Sequence, residues 1–222
     1  MFKGLKVAAV AAVGVFAASG ANAATITYTD SVALSDVEIA GTLSAPQFNS
    51  ALGTLTGVSW SITGAIASVI GVENDSGSTI TGSAFTNVEF DLTSALLSLD
   101  ASPDFSIFAS TGLVSLGVGA SALFPVTATA TITGVEAVSS AFIGGSLVDV
   151  LYLTMTSFGG NGFGGDITIS QATDAGISFS LTYEYSTDPT VSEVPLPAAA
   201  PLMLAGMGLF GFVAKRRRKH AA

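Results

Sequence analysis

The 222-residue chain has no cysteine, which excludes a disulfide framework, thiolate metal sites and a cysteine nucleophile. Basic residues are almost as scarce, and their placement matters more than their number. Lys3 and Lys6 stand at the front; Lys215, Arg216, Arg217, Arg218 and Lys219 stand at the back, beside the single histidine, His220. All 16 acidic residues fall between Asp30 and Glu193. Without the seven terminal cations, the formal charge of −9 becomes −16 on the stretch between them. Nothing in that stretch can neutralise phosphates, so nucleic acid is excluded as a partner. The same stretch lacks the usual general bases, activated nucleophiles and cationic oxyanion donors. Serine is plentiful, but a serine nucleophile without a base is inert.

The two ends read as addresses. In residues 1–23, Lys3 and Lys6 precede an apolar run from Val7 to Ala18, too short to span a bilayer, and Ala21-Asn22-Ala23 offers a small-x-small cleavage site. That order is a secretory signal peptide. Residues 191–222 hold a linker, then Val194-Pro195-Leu196-Pro197-Ala198, then an apolar stretch to Ala214, then the Lys215–Lys219 basic stop. The apolar part approaches the ~20 residues of a membrane-spanning helix, and the cations after it hold the C-terminus inside. The prolines keep the preceding segment extended.

At these residues the chain resembles the PEP-CTERM sorting signals of Gram-negative bacteria, in the variant whose motif reads V-P-L-P-A. The resemblance implies an exosortase-type membrane protease as partner and removal of the hydrophobic tail. It also implies a transient inner-membrane intermediate and a final place at the cell surface, among exopolysaccharide and biofilm matrix.

Residues 24–190 alternate with period two. Ile177, Phe179, Leu181, Tyr183 and Tyr185 oppose Ser178, Ser180, Thr182 and Glu184, and Val58, Trp60 and Ile62 oppose Ser59, Ser61 and Thr63. Similar alternation runs through Ile26–Asp30, Val88–Leu92 and Val126–Ile132. Half-buried strands rich in β-branched and aromatic residues follow. Gly41, Gly71, Gly117, Pro125, Gly144 and Gly159 read as turns between them. The fold class is all-β, a single antiparallel sandwich or jelly roll, with Trp60, Phe90, Phe179, Leu181 and Tyr183 in its core.

Thr25-Ile26-Thr27-Tyr28-Thr29-Asp30, Pro46-Gln47-Phe48-Asn49, Leu52 to Val58 and Val72-Glu73-Asn74 follow in an order similar to the opening of choice-of-anchor extracellular domains, type E. That resemblance covers residues 25–75 and implies a surface module without assigned activity or functional residues.

Three candidate sites remain. Glu89 and Asp91 project from one face of a strand about 7 Å apart, from a rise of ~3.3 Å per residue; such a pair suits glycosidase acid and base roles and equally an exposed strand face. Glu73, Asn74 and Asp75, before Ser76-Gly77-Ser78, gather hard oxygen donors for Ca²⁺, but without a full loop ladder, and an Asx turn explains them as well. Trp60 or a tyrosine is the stacking platform that a carbohydrate-binding module would need, although the alternation around Trp60 points it inward. Gly159 to Asp166 reads as a loop between strands. The acidic excess predicts stabilisation by divalent cations.

Overall fold

A computed structural model of the chain describes residues 23–99 and 105–187. The chain divides between Thr187 and Asp188 into two compact units, and every described residue belongs to the first. Residues 1–22 of the expected signal peptide, the apolar stretch up to Ala214, the motif Val194–Ala198 and the basic stop Lys215–Lys219 lie outside the described residues. Among the described residues, no helix is long and apolar enough to cross a membrane.

Nine strands follow in order: β1 Ala23–Asp36, β2 Ala40–Pro46, β3 Thr54–Asn74, β4 Ile80–Thr93, β5 Phe105–Ser110, β6 Val114–Leu116, β7 Ser121–Glu136, β8 Leu147–Asn161 and β9 Ile167–Ser186. Single 3₁₀ turns at Ser50–Leu52 and Ser140–Phe142 are the described helical elements. One sheet, A, has the order β1-β9-β3-β7; the other, B, has the order β2-β8-β4-β5, with β6 also beside β4. All strand pairs are antiparallel. β1 pairs with β9, β2 with β8, β3 with β7 and β4 with β5. This nested first-with-last pairing is a jelly roll.

The alternation fixes the two inner faces. Ile177, Phe179, Leu181 and Tyr183 of β9 lie beside Val58, Trp60, Ile62 and Ile66 of β3 in sheet A, facing Val88, Phe90 and Leu92 of β4 and Val148 and Val150 of β8 in sheet B. The five residues expected in the core are all there, with Phe90, Phe179, Leu181 and Tyr183 at 0% exposure and Trp60 at 7%. Tyr183 also joins the sheets, because its hydroxyl donates to the Pro46 carbonyl at 3.0 Å, meeting the need of a buried phenol for a partner. Burial, with Tyr28 beside it, pushes the Tyr183 phenol well up and keeps it neutral.

A smaller apolar cluster, Ile70, Val72, Ile80, Ala84 and Leu116, fills the other end of the sandwich. A polar seam begins beside Ile70, where Ser68 and Thr173, both buried, share a hydrogen bond of 2.7 Å across β3 and β9. In the facing sheet, Thr86 of β4 is fully buried, and its hydroxyl has no partner among the described residues.

The strands run longer than the turn signals suggested. β3 passes unbroken through Gly57, Gly64 and Gly71, and Pro125 lies inside β7. These residues answer to packing and position instead of chain reversal. A Cβ on Gly64 would stand 2.8 Å from Phe105 Cε2 and 2.9 Å from Phe90 Cζ, two rings stacked at 4.7 Å. Pro125 sits on the edge strand of sheet A, where a missing N–H is tolerated. Gly41 lies within β2 and Gly159 within β8, which continues to Asn161 opposite Ser83, so the glycine run is loop only beyond that point.

Candidate functional site

The expected sites scatter over the molecule. Glu89 and Asp91 do share one face, the outer face of sheet B, where β8 sets Met155 opposite Glu89 and Leu153 opposite Asp91. Their neighbours there are half-exposed apolar side chains: Met155 is 47% and Leu153 43% exposed. Both carboxylates are partly exposed on this face.

The turn after β3 uses its oxygen donors internally. Asn74 is fully buried. Its side-chain nitrogen donates to the carbonyls of Ser78, Leu116 and Gly117 at 2.9, 3.1 and 2.8 Å. Its carbonyl oxygen accepts from the Ser76 amide at 3.0 Å and the Ser76 hydroxyl at 2.6 Å. Both lone pairs of that oxygen are therefore engaged, and Asn74 acts as an Asx staple between the β3–β4 turn and the loop after β6. Glu73 is exposed and paired in register with Ser121 and Thr168, while Asp75 accepts from the Thr168 hydroxyl at 2.8 Å. Among the described residues, no group of three or more acidic, His or Cys side chains gathers around a common point.

Trp60 is no platform. Its indole lies over Gly134 of β7, at a place where any side chain would collide with the ring, and its Nε1 donates to Glu136 Oε1 at 2.9 Å. The same carboxylate accepts from the Ser98 amide at 2.7 Å and the Ser98 hydroxyl at 3.0 Å. Burial raises the Glu136 pKa, but the hydrogen bonds from Ser98 and Trp60 outweigh it, and the net value lies below the ordinary 4.5. Glu136 thus clamps the Ser94–Leu99 segment against β7. The tyrosines also turn to the core: Tyr152, Tyr183 and Tyr185 are buried, and Tyr28 packs edge-on to Tyr183 with centroids 6.2 Å apart.

What the sequence did not announce is the outer face of sheet A. Register aligns its outward side chains in rows that cross the strands. One row holds Thr29, Ser180, Ser61 and Thr133; the next holds Ser31, Ser178, Thr63 and Thr131. Every member is a serine or threonine. Thr27 and Thr182 hydrogen-bond at 2.8 Å in the row before, and Thr63 and Thr131 do so at 2.8 Å. An open depression of about 380 Å³ lies in this lattice, lined by Ser59, Ser61, Thr133, Val135, Ser180 and Thr182, with Trp60 and Gly134 beneath. The signal was visible within each strand as a polar alternate face; the lattice needs cross-strand register, which one sequence does not supply.

Comparison with known proteins identifies one segment. A PEP-CTERM protein-sorting motif matches residues 193–218, and a motif of this kind marks exosortase-dependent sorting to the cell surface. No curated protein matches by sequence. Among solved structures, that of infectious bursal disease virus Gx strain is 12% identical, covering 75% of this chain and 37% of that one at a TM-score of 0.21. That of mud crab tombus-like virus is 8% identical, covering 89% and 97% at 0.18. The lectin UEA-II complexed with galactose is 13% identical, covering 72% and 92% at 0.16. Scores of that size carry no inference about this chain; the sorting motif does, and it places the chain among those routed through the membrane to the cell surface.

Proposed function

We propose that the protein is a non-enzymatic component of the bacterial cell surface or extracellular matrix, delivered by an exosortase-type protease that removes its tail and held among extracellular polysaccharide. The sorting motif at residues 193–218 carries this reading. The composition supports it, since the segment between the ends has no Lys, Arg, His or Cys for catalysis. The likeness of residues 25–75 to choice-of-anchor domains agrees with a surface module. Glu89 and Asp91, the carboxylate pair read as suited to glycoside cleavage, stand on the outer face of sheet B beside the half-exposed Met155 and Leu153, the setting of a solvated strand face. A carbohydrate-binding role needs a surface other than Trp60, which is clamped from below by Glu136.

Delivery is tested by replacing Pro195 and Pro197 with Ala in the full chain. The recognition segment can then join the helix, and full-length precursor is expected to accumulate in the membrane fraction. Unchanged release would contradict the role given to the motif. The absence of catalysis is tested on purified extracellular protein with neutral glycans: cleavage that disappears in Glu89→Gln or Asp91→Asn would overturn it.

A further inference from the structure

We infer that the hydroxyl rows on the outer face of sheet A form a binding surface for a neutral, extended polysaccharide. The inference rests on the matrix reading above and gives that reading a place on the molecule.

Charge is the first argument. The chain between its ends carries −16, yet the hydroxyl rows from Thr27 to Ser31 hold no charged side chain; on the same face Glu184 stands beyond them on one side, and Asp36, Asp174 and Glu73 stand on the other. The other outer face carries Glu89, Asp91 and Asp149. A polyanion is repelled by the domain as a whole, and a polycation is drawn to the acids instead of to these rows. A neutral polymer meets no desolvation penalty for buried charge here.

Chemistry and spacing are the second. Serine and threonine hydroxyls both donate and accept, which is what the hydroxyls of a sugar also do. The rows present one hydroxyl per strand at ~4.8 Å intervals, a step close to the length of one pyranose ring. A glycan lying across the strands would therefore meet an equivalent partner at each ring. The small side chains let it approach the strand backbones in the depression lined by Ser59, Ser61, Thr133, Ser180 and Thr182. The floor is rigid, because the Trp60 indole beneath is fixed by its bond to Glu136. With no aromatic platform, each contact is weak, and affinity comes from repetition along a long chain; long polymers should bind and short oligosaccharides should not.

The test uses the protein purified from the exterior of the producing cells and the extracellular polysaccharide of those cells, separated into a neutral and a uronic-acid-containing fraction. Wild type is expected to co-sediment with the neutral fraction. The double variant Ser61→Glu, Ser180→Glu is expected to lower the bound fraction at least about tenfold, with melting temperature unchanged. Ser157→Glu, on the outer face of sheet B, should bind as wild type does. If the double variant melts early, Thr131→Glu on edge strand β7 is measured in its place. Undiminished binding by the sheet A variants, an equal loss in Ser157→Glu, or preference for the uronic-acid fraction overturns the inference while leaving the matrix reading intact. Wild type that stays soluble with both fractions, and that cell fractionation finds away from the polysaccharide, overturns both.

Discussion

The two sheets have similar inner faces and different outer ones. Sheet A presents rows of hydroxyls, from Thr29 and Ser180 to Ser61 and Thr133. Sheet B presents Leu151, Leu153, Met155 and Phe108, between 43% and 58% exposed, interleaved with Glu89 and Asp91. The inner faces obey the burial requirement of any sandwich. The outer faces are free of it, so their divergence reflects what each meets outside the protein. Acids stand on both outer faces, but on sheet A they flank the hydroxyl rows, with Glu184 on one side and Asp36, Asp174 and Glu73 on the other.

The largest effect is expected when the support under sheet A is removed. Trp60→Ala is expected to cost ~3–5 kcal/mol in a urea titration, whereas Leu153→Ala on the outer face of sheet B should stay within about 0.5 kcal/mol of wild type. Equal losses would mean that the outer apolar residues of sheet B carry core-like energy. In the opposite direction, Thr86→Val replaces a buried hydroxyl without a partner among the described residues by a methyl group of the same shape. A gain of ~1 kcal/mol is expected from removing that desolvation penalty; destabilisation would show that the hydroxyl is hydrogen-bonded.

Acid should act through Glu136. Its folded pKa lies below the ordinary 4.5, so the folded state binds fewer protons than the unfolded chain between the two values. Its contribution is complete above the ordinary carboxylate pKa and is lost as pH falls through the lowered one. Trp60 is the only tryptophan, so its fluorescence should change over that acid range in wild type and stay flat in Glu136→Gln. A change of the same size in both would assign it to another carboxylate.

The smallest expected effect concerns ions. With the Asn74 oxygen occupied by Ser76, calcium should raise Tm by screening alone, matching sodium at equal ionic strength. A larger calcium shift would restore a specific site beside Asp75 and revive the cation expectation from sequence.

The fold was legible because alternation is a local signal. Ile177 to Tyr185 and Val58 to Ile62 declare their buried side without reference to any partner. Strand length was less legible, since Gly41, Gly71, Pro125 and Gly159 read as turns yet lie inside β2, β3, β7 and β8. The calcium and Asx-turn readings of Glu73–Asp75 could not be separated in sequence, because oxygen-rich turns and oxygen-rich ligand loops share a composition; the bonds of Asn74 favour the turn. The hydroxyl lattice was out of reach: its rows join residues near 30, 60, 130 and 180, and each strand alone shows only a solvated edge.

Removal of the tail leaves the acidic β domain to act on its own. The intact mass of the protein recovered from the cell exterior tests it directly. The mass is expected to correspond to a chain that begins near Ala24 and ends between Val194 and Ala198, without the Lys215–Lys219 cluster. A mass that includes residues 200–222 would contradict the account and leave the protein permanently anchored.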